Sequence, residues 1–233
     1  MTNELLLVLN LVFVYSSVLF FYKLFGKVGL FIFTVIATIT ANIEALILIN
    51  AFGMEQTLGN ILFASTFLIT DILSEMHGKK DSITAVRLSI CTSVVFIILT
   101  QFWLFFTPSN NDIVMGSIRN IFSHTPRLMF SSFIVYAISQ YFDVWAYHKW
   151  WDFTKAKFHD KDKFLWLRNN GSTLISQFIN TVLFTIFAFG GIYEIKTLVS
   201  IIFSTYLIYI VTSLADTPVL YIAKYMTSKE KSL

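Results

Sequence analysis

The chain has little charge, little cysteine and little proline. Only 13% of its 233 residues are Asp, Glu, Lys or Arg, and 56% are hydrophobic. A soluble fold of this size cannot keep so little charge on its surface without exposing large apolar patches. The mean hydropathy of +0.69 points the same way: the solvent for most of this chain is lipid. There is one cysteine, Cys91, so no intramolecular disulfide can form. Three prolines beside 25 phenylalanines exclude a disordered or low-complexity chain. The longest loops run to about 20 residues, so nothing suggests a soluble appendage, and 1–233 reads as a single membrane domain.

Apolar stretches long enough to cross the hydrocarbon, about 20 residues each, fall at 5–22, 28–51, 57–76, 83–106, 127–148, 172–190 and 196–224. The first has no Lys or Arg before Lys23, which argues against a cleaved signal peptide and for a retained helix. The last contains Pro218, where a tilt or break is expected. Placing the N-terminus outside puts 14 of the 17 Lys and Arg inside, against Arg119, Arg127 and Lys196 outside. The expectation is therefore an all-α polytopic membrane bundle, N-out and C-in, of seven transmembrane helices, or six if the first is discounted. Residues 149–170 form a basic, aromatic cytoplasmic loop in which Trp150, Trp151, Phe153, Phe158, Phe164 and Trp166 interleave with lysines. Asp152, Asp160 and Asp162 dilute its charge. That favours an amphipathic segment on the anionic leaflet over a nucleic-acid surface, and no nucleic-acid partner is expected.

Several spans carry polar faces that lipid does not tolerate outward. Thr38 and Asn42 share one face of the second span. Thr66, Thr70 and Ser74 form a stripe on the third beside Asp71, with Asn60 and Glu75 at its ends. Tyr136, Gln140, Asp143 and Tyr147 step along the fifth. Ser172, Ser176 and Asn180 do so on the sixth, flanked by Thr173 and Gln177, and Ser213, Asp216 and Thr217 precede Pro218 on the last. Single hydroxyls and amides of this kind serve well as helix–helix glue. A mid-membrane carboxylate costs at least about 2.5–3.5 kcal/mol, so Asp71, Asp143, Asp216 and above all Glu44 need a ligand, a proton or water. The faces should converge on one interior. Acids, amides and aromatic walls suit a planar, hydrogen-bonding heterocycle better than a phosphate, which wants Arg or Lys.

Enzyme chemistry finds no footing. His77, His124, His148 and His159 make no metal-ligand pair, so neither a metal nor a cofactor is expected. There is no Gly-x-Ser-x-Gly elbow and no phosphate-binding Gly-rich loop. Paired aspartates alone do not make an intramembrane protease, and the last span lacks the mid-span lysine of a retinal protein.

Three blocks carry a family likeness. The first is Gly59-Asn60-Ile61-Leu62-Phe63-Ala64-Ser65-Thr66-Phe67-Leu68-Ile69-Thr70-Asp71-Ile72-Leu73-Ser74-Glu75, closing with Gly78-Lys79-Lys80. The second runs from Phe133 to Tyr147 around Gln140 and Asp143. The third is Trp166-Leu167-Arg168-Asn169-Asn170-Gly171-Ser172-Thr173-Leu174-Ile175-Ser176-Gln177, followed by Asp216-Thr217-Pro218. Together they resemble the queuosine precursor transporter family, also called the vitamin uptake transporter family, of bacterial inner-membrane proteins. The likeness covers roughly residues 28–226, with 1–27 as an extra N-terminal helix.

The resemblance implies uptake of 7-deazaguanine bases: the 7-cyano or 7-aminomethyl precursors of queuosine, or queuine. It implies a core similar to the substrate-binding subunit of energy-coupling-factor importers. Transport is then secondary and suited to proton coupling, or else driven by an ATPase module docking on a small-residue ridge such as Ala37, Ala41 and Ala45. A homo-oligomer is compatible with either. Pocket or gate roles carry over to Asn42, Asn60, Asp71, Glu75, Gln140, Asp143, Asn170, Ser172, Thr173, Gln177 and Asp216. The chain departs from the family pattern at Asn180, where an acid is usual, at Tyr209, where a lysine is usual, and at Glu44, where Gln is more common. Losing an acid and a lysine together would remove a buried ion pair without leaving an orphan charge, and the departures imply an altered base preference or proton coupling.

Overall fold

A computed structural model describes residues 2–123, 126–158 and 164–230. It contains seven helices: α1 Asn3–Glu44, α2 Asn60–Met76, α3 Lys79–Trp103, α4 Met115–Ser123, α5 Pro126–Phe158, α6 Leu165–Phe189 and α7 Ile195–Glu230. A short antiparallel hairpin, β1 Leu48–Ala51 with β2 Met54–Thr57, interrupts them. Four helical segments, Asn3–Glu44, Lys79–Trp103, Leu165–Phe189 and Ile195–Ser228, are long and apolar enough to cross a membrane.

Burial is inverted relative to a soluble protein. The interior holds Ser, Thr, Asn, Gln and Asp in numbers, while the exposed side chains are large and apolar. On α7, Val199, Phe203, Leu207, Val211 and Leu214 are all exposed and step by three or four along one face. On its other face Thr212, Ser213 and Asp216 are buried. That arrangement minimises free energy only when the surrounding medium is hydrocarbon.

The first two expected spans are the two arms of α1. The helix folds back at Gly26, whose φ of 56° and ψ of −141° suit glycine alone. Phe21 and Phe33 consequently stack edge to face at 5.5 Å, although 12 residues apart they would be about 18 Å apart along a straight helix. The close approach needs a second glycine. A Cβ on Gly29 would sit 2.1 Å from the Phe21 carbonyl oxygen and 2.6 Å from its carbon. Neither backbone atom can yield, so Gly29→Ala is expected to cost on the order of 3 kcal/mol. Thermal unfolding in detergent checks this, and a melting point equal to wild type would contradict it.

Three further expectations need correction. The second span ends at Glu44 rather than at residue 51, and the chain then turns into the hairpin. The turn residues Phe52 and Gly53 both have positive φ (54° and 72°), the requirement of a tight two-residue hairpin turn. The hairpin is tied to the start of α1, where Asn3 Nδ2 donates to the Asn50 carbonyl (2.8 Å) and Phe52 N donates to Glu4 Oε1 (3.1 Å). Second, no break falls at Pro218, since α7 stays helical through it. Third, most of the expected 149–170 loop is helix, since α5 continues to Phe158 and α6 begins at Leu165. Its indoles have internal work: Trp150 closes on Gly171, and the Arg168 guanidinium stacks 4.5 Å above Trp151. His124, His159, Asp160, Lys161, Asp162 and Lys163 lie outside the described residues.

Helix α2 is central. It packs against α1, α3, α5 and α7, and every residue from Asn60 to Ser74 except Phe63 is buried. Ser65, Thr66 and Thr70 are tolerated there because each donates to the preceding turn, as Thr70 does to the Phe67 carbonyl (2.8 Å), while Ser74 pairs with the Ser82 hydroxyl of α3.

Candidate functional site

A cavity of about 550 Å³ opens at the hairpin end of the bundle. Small-molecule sites span about 300–1,000 Å³. Its wall draws on α1, the hairpin, α2, α3, α5, α6 and α7. Thr38 and Asn42 come from α1, residues 53–57 from the hairpin, and Asn60, Phe63 and Thr66 from α2. Phe133 and Tyr136 come from α5, Asn180, Thr181 and Phe184 from α6, and Ser204 and Tyr209 from α7. Glu55 on the hairpin is the one acid on this wall, and no Lys, Arg or His joins it among the described residues.

Asn60 is the best-organised group in the cavity. Its carbonyl oxygen accepts from Thr57 Oγ1 (3.0 Å) and from the Tyr209 hydroxyl (3.3 Å), which fixes the amide plane. Its Nδ2 is buried and has no partner. Gln56 Nε2, on the hairpin side, is likewise buried and unpartnered. A buried amide N–H left unpaired costs free energy comparable to a lost hydrogen bond, so two donors here await an acceptor. Phe63, Tyr136 and Tyr209 form the adjacent aromatic wall, with ring centroids 5.2 and 6.3 Å from Phe63.

The sequence-predicted residues divide into three groups. Asn42, Asn60 and Asn180 line the cavity. Glu44 does not: it is the last residue of α1, half-buried at the hairpin end, so the reading of it as a mid-membrane acid is corrected. Asp71, Gln140, Asp143, Asn170, Ser172, Thr173, Gln177 and Asp216 are all buried but lie outside the cavity wall, so one shared pocket for all of them is also corrected. On α2, α5 and α7 they follow the cavity-lining residues along the chain, and on α6 they precede them, in each case toward the opposite end.

Much of this deeper layer is helix–helix glue. Gln140 Nε2 donates to Thr66 Oγ1 (2.8 Å), joining α5 to α2. Asn170 Nδ2 donates to Thr217 Oγ1 (2.7 Å) and its Oδ1 accepts from Ser213 Oγ (3.2 Å), joining α6 to α7. Ser172 bonds back to its own helix.

Beyond that layer the bundle closes on an ion cluster. Arg168 Nη2 lies 3.0 Å from both oxygens of Glu75, Lys224 Nζ is 3.2 Å from Oε1, and the Tyr147 hydroxyl donates to Oε2 (2.8 Å). Arg168 is fully buried. The charge count placed Arg168 and Lys224 on the inner side without pairing either to an acid, and the structure pairs both with Glu75. The signal that could have found it is spacing. Glu75 lies one turn beyond Asp71 and Arg168 one turn before Ser172, which puts both at the same end of the polar column. The hairpin donors were missed too, although Asn50-Ala51-Phe52-Gly53-Met54-Glu55 has the glycine and alternation of a turn.

An inverted helical bundle with an internal polar column, a cavity with one exposed acid on its wall at one end and an ion cluster at the other is the architecture of a multi-pass membrane carrier. Residues 57–223 match the family described as "Putative vitamin uptake transporter". The chain is 37% identical over 214 residues to the "Probable queuosine precursor transporter" of Bacillus subtilis (strain 168), covering 92% of this chain and 91% of the relative. No solved structure matches it. The protein belongs to the vitamin uptake transporter family and is a transporter, not an enzyme.

Proposed function

We propose that the protein imports 7-deazaguanine precursors of queuosine across the bacterial cytoplasmic membrane by secondary transport. The single observation that carries this reading is the oriented, unpartnered Asn60 amide beside an aromatic cavity wall on which, among the described residues, there is no basic side chain. A 7-deazaguanine is flat enough to lie against Phe63, Tyr136 and Tyr209, and its O6 and N3 are acceptors for the Asn60 and Gln56 donors. The 7-cyano form adds a third acceptor. The 7-aminomethyl form brings a cation to a wall on which Glu55, exposed on the hairpin, is the acid among the described residues. Glu55 offers that cation only a solvent-exposed partner, whereas the nitrile adds an acceptor for buried amide donors, so the ranking expected is 7-cyano above 7-aminomethyl.

The charge distribution supports the orientation. Described basic residues cluster at the ion-cluster end, which faces the cytosol under the positive-inside rule, and the cavity then faces outward. The two arms of α1 with α2, α3, α5, α6 and α7 make seven crossings. An importer subunit driven by a docked ATPase needs a free small-residue ridge. Ala37 and Ala41 are buried inside this chain, and a Cβ on Gly59 would lie 2.9 Å from Ala45 N and 3.0 Å from the Ala41 carbonyl oxygen. That ridge is spent on α2, which favours the chain acting alone.

The test is a thermal-shift series on the purified protein with guanine, 7-cyano- and 7-aminomethyl-7-deazaguanine, and queuine. A ligand at 100 times its Kd stabilises by about 2.7 kcal/mol, so the preferred base should shift the midpoint by several degrees. No shift with any deazaguanine would refute the reading. Uptake into liposomes without nucleotide then separates a self-sufficient carrier from an ATPase subunit.

A further inference from the structure

Between the cavity and the ion cluster lie three carboxylates that neither structure uses. Asp71 on α2, Asp143 on α5 and Asp216 on α7 are at most 1% exposed and close enough to repel one another electrostatically. Thr173 donates to Asp71 Oδ2 (3.0 Å), and Ser176 Oγ lies 2.7 Å from Asp143 Oδ1. The other oxygens, Asp71 Oδ1, Asp143 Oδ2 and both of Asp216, have no partner.

A second observation comes from α6. Asn169, Thr173 and Gln177 are spaced by four and share one face, with the Asp71-bonded Thr173 in the middle. Both flanking amides are at least 99% buried, and Asn169 Oδ1 and Gln177 Oε1 have no donor either. The layer thus carries a surplus of acceptor oxygens, which a carboxylic acid O–H can satisfy and a carboxylate cannot.

Charge counting leads to the same place. Tyr15 from α1, Glu75 from α2 and Tyr147 from α5 stand around the trio, Arg168 from α6 and Lys224 from α7 are held on Glu75, and on the α3 side the Ser82 hydroxyl lies 2.8 Å from that of Ser74. Glu75 engages both cations, so the four acids exceed them by two. Two uncompensated negative charges in a membrane interior are not tolerated. Among the described residues no group of three or more His, Cys, Asp or Glu side chains has the arrangement to hold a metal ion.

We propose that Asp71, Asp143 and Asp216 form a proton-binding site, separate from the substrate cavity, which loads from the cavity side and empties past the Glu75 cluster as substrate moves inward. The step is a proton transfer onto a carboxylate oxygen and off again, with no change of oxidation state. The coupling rests on the importer reading; proton occupancy does not, and the two are measured separately.

Occupancy is read by infrared spectroscopy of the purified protein at neutral pH. The carbonyl stretch of a protonated carboxyl group should be present and should diminish in Asp71→Asn, Asp143→Asn and Asp216→Asn. Absence of that band from the wild type would overturn the site, whatever base is carried. Coupling is read in liposomes with labelled 7-cyano-7-deazaguanine. An inward gradient of one pH unit should hold up to about tenfold accumulation per proton. Asp216→Asn should lose that accumulation yet retain substrate counterflow, which needs no net proton movement and shows that the variant folds. Accumulation driven equally by a sodium gradient at constant pH, or unchanged in all three Asn variants, would overturn the proposal.

Discussion

Glu75→Gln should destabilise the protein by about 3–5 kcal/mol, the cost of removing one partner from a buried ion pair. The size follows from where the charges sit. The Arg168 and Glu75 side chains are 0% and 3% exposed, whereas Lys224 is 29% exposed. Without the carboxylate, Lys224 can return to water, but Arg168 cannot: it is clamped between Glu75 and the Trp151 ring. Lys224→Gln should accordingly cost no more than about 1 kcal/mol. Adding Arg168→Met to Glu75→Gln should recover part of the loss, because the buried guanidinium then leaves together with its carboxylate partner. Denaturant or thermal unfolding in detergent orders the three variants. If Lys224→Gln proved as damaging as Glu75→Gln, Arg168 would not be the anchor of the cluster. The same pairs tie α2, α6 and α7 together, with Tyr147 adding α5, at the end away from the cavity. Relaxing them should make that end easier to open as well as the fold easier to melt.

The sequence disclosed which faces turn inward because hydrocarbon imposes a severe rule: a polar stripe on a membrane helix has nowhere else to go. Tyr136, Gln140, Asp143 and Tyr147 are all buried, and so are Thr66, Thr70 and Ser74. Depth along the helix was not legible from spacing. Periodicity places Asn60 and Asp71 on one helix but is silent on which reaches a cavity and which meets Thr173 across the bundle. Glu44 shows the same weakness: an apolar run to residue 51 made it look mid-membrane, yet the helix ends there and the run continues as the hairpin. The fold-back of α1 was legible only as a gap between two apolar stretches. The need for Gly29 appears only when the arms are brought within van der Waals contact, and the need for Gly26 only in its backbone angles.

The cavity makes its strongest demand at Asn60. Asn60→Asp keeps size and shape but exchanges the unpartnered N–H donor for a second acceptor oxygen, and the expected result is a loss of base affinity on the order of 100-fold. Sites built to hydrogen-bond a ligand discriminate this steeply because the mismatch leaves a buried polar group unpaired. Here it also sets an oxygen against the O6 or N3 of the base. The fold should survive, since the carboxylate still accepts from Thr57 Oγ1 and the Tyr209 hydroxyl, the two contacts that orient the native amide. Tyr209→Phe removes one of those contacts without touching the donor and should weaken binding by no more than about tenfold, the worth of one neutral hydrogen bond. Titration calorimetry with 7-cyano-7-deazaguanine separates the two effects. Near-wild-type affinity in Asn60→Asp, with an unfolding midpoint unchanged, would move the recognition of the base elsewhere on the wall, with Gln56 and Asn180 the next donors to replace.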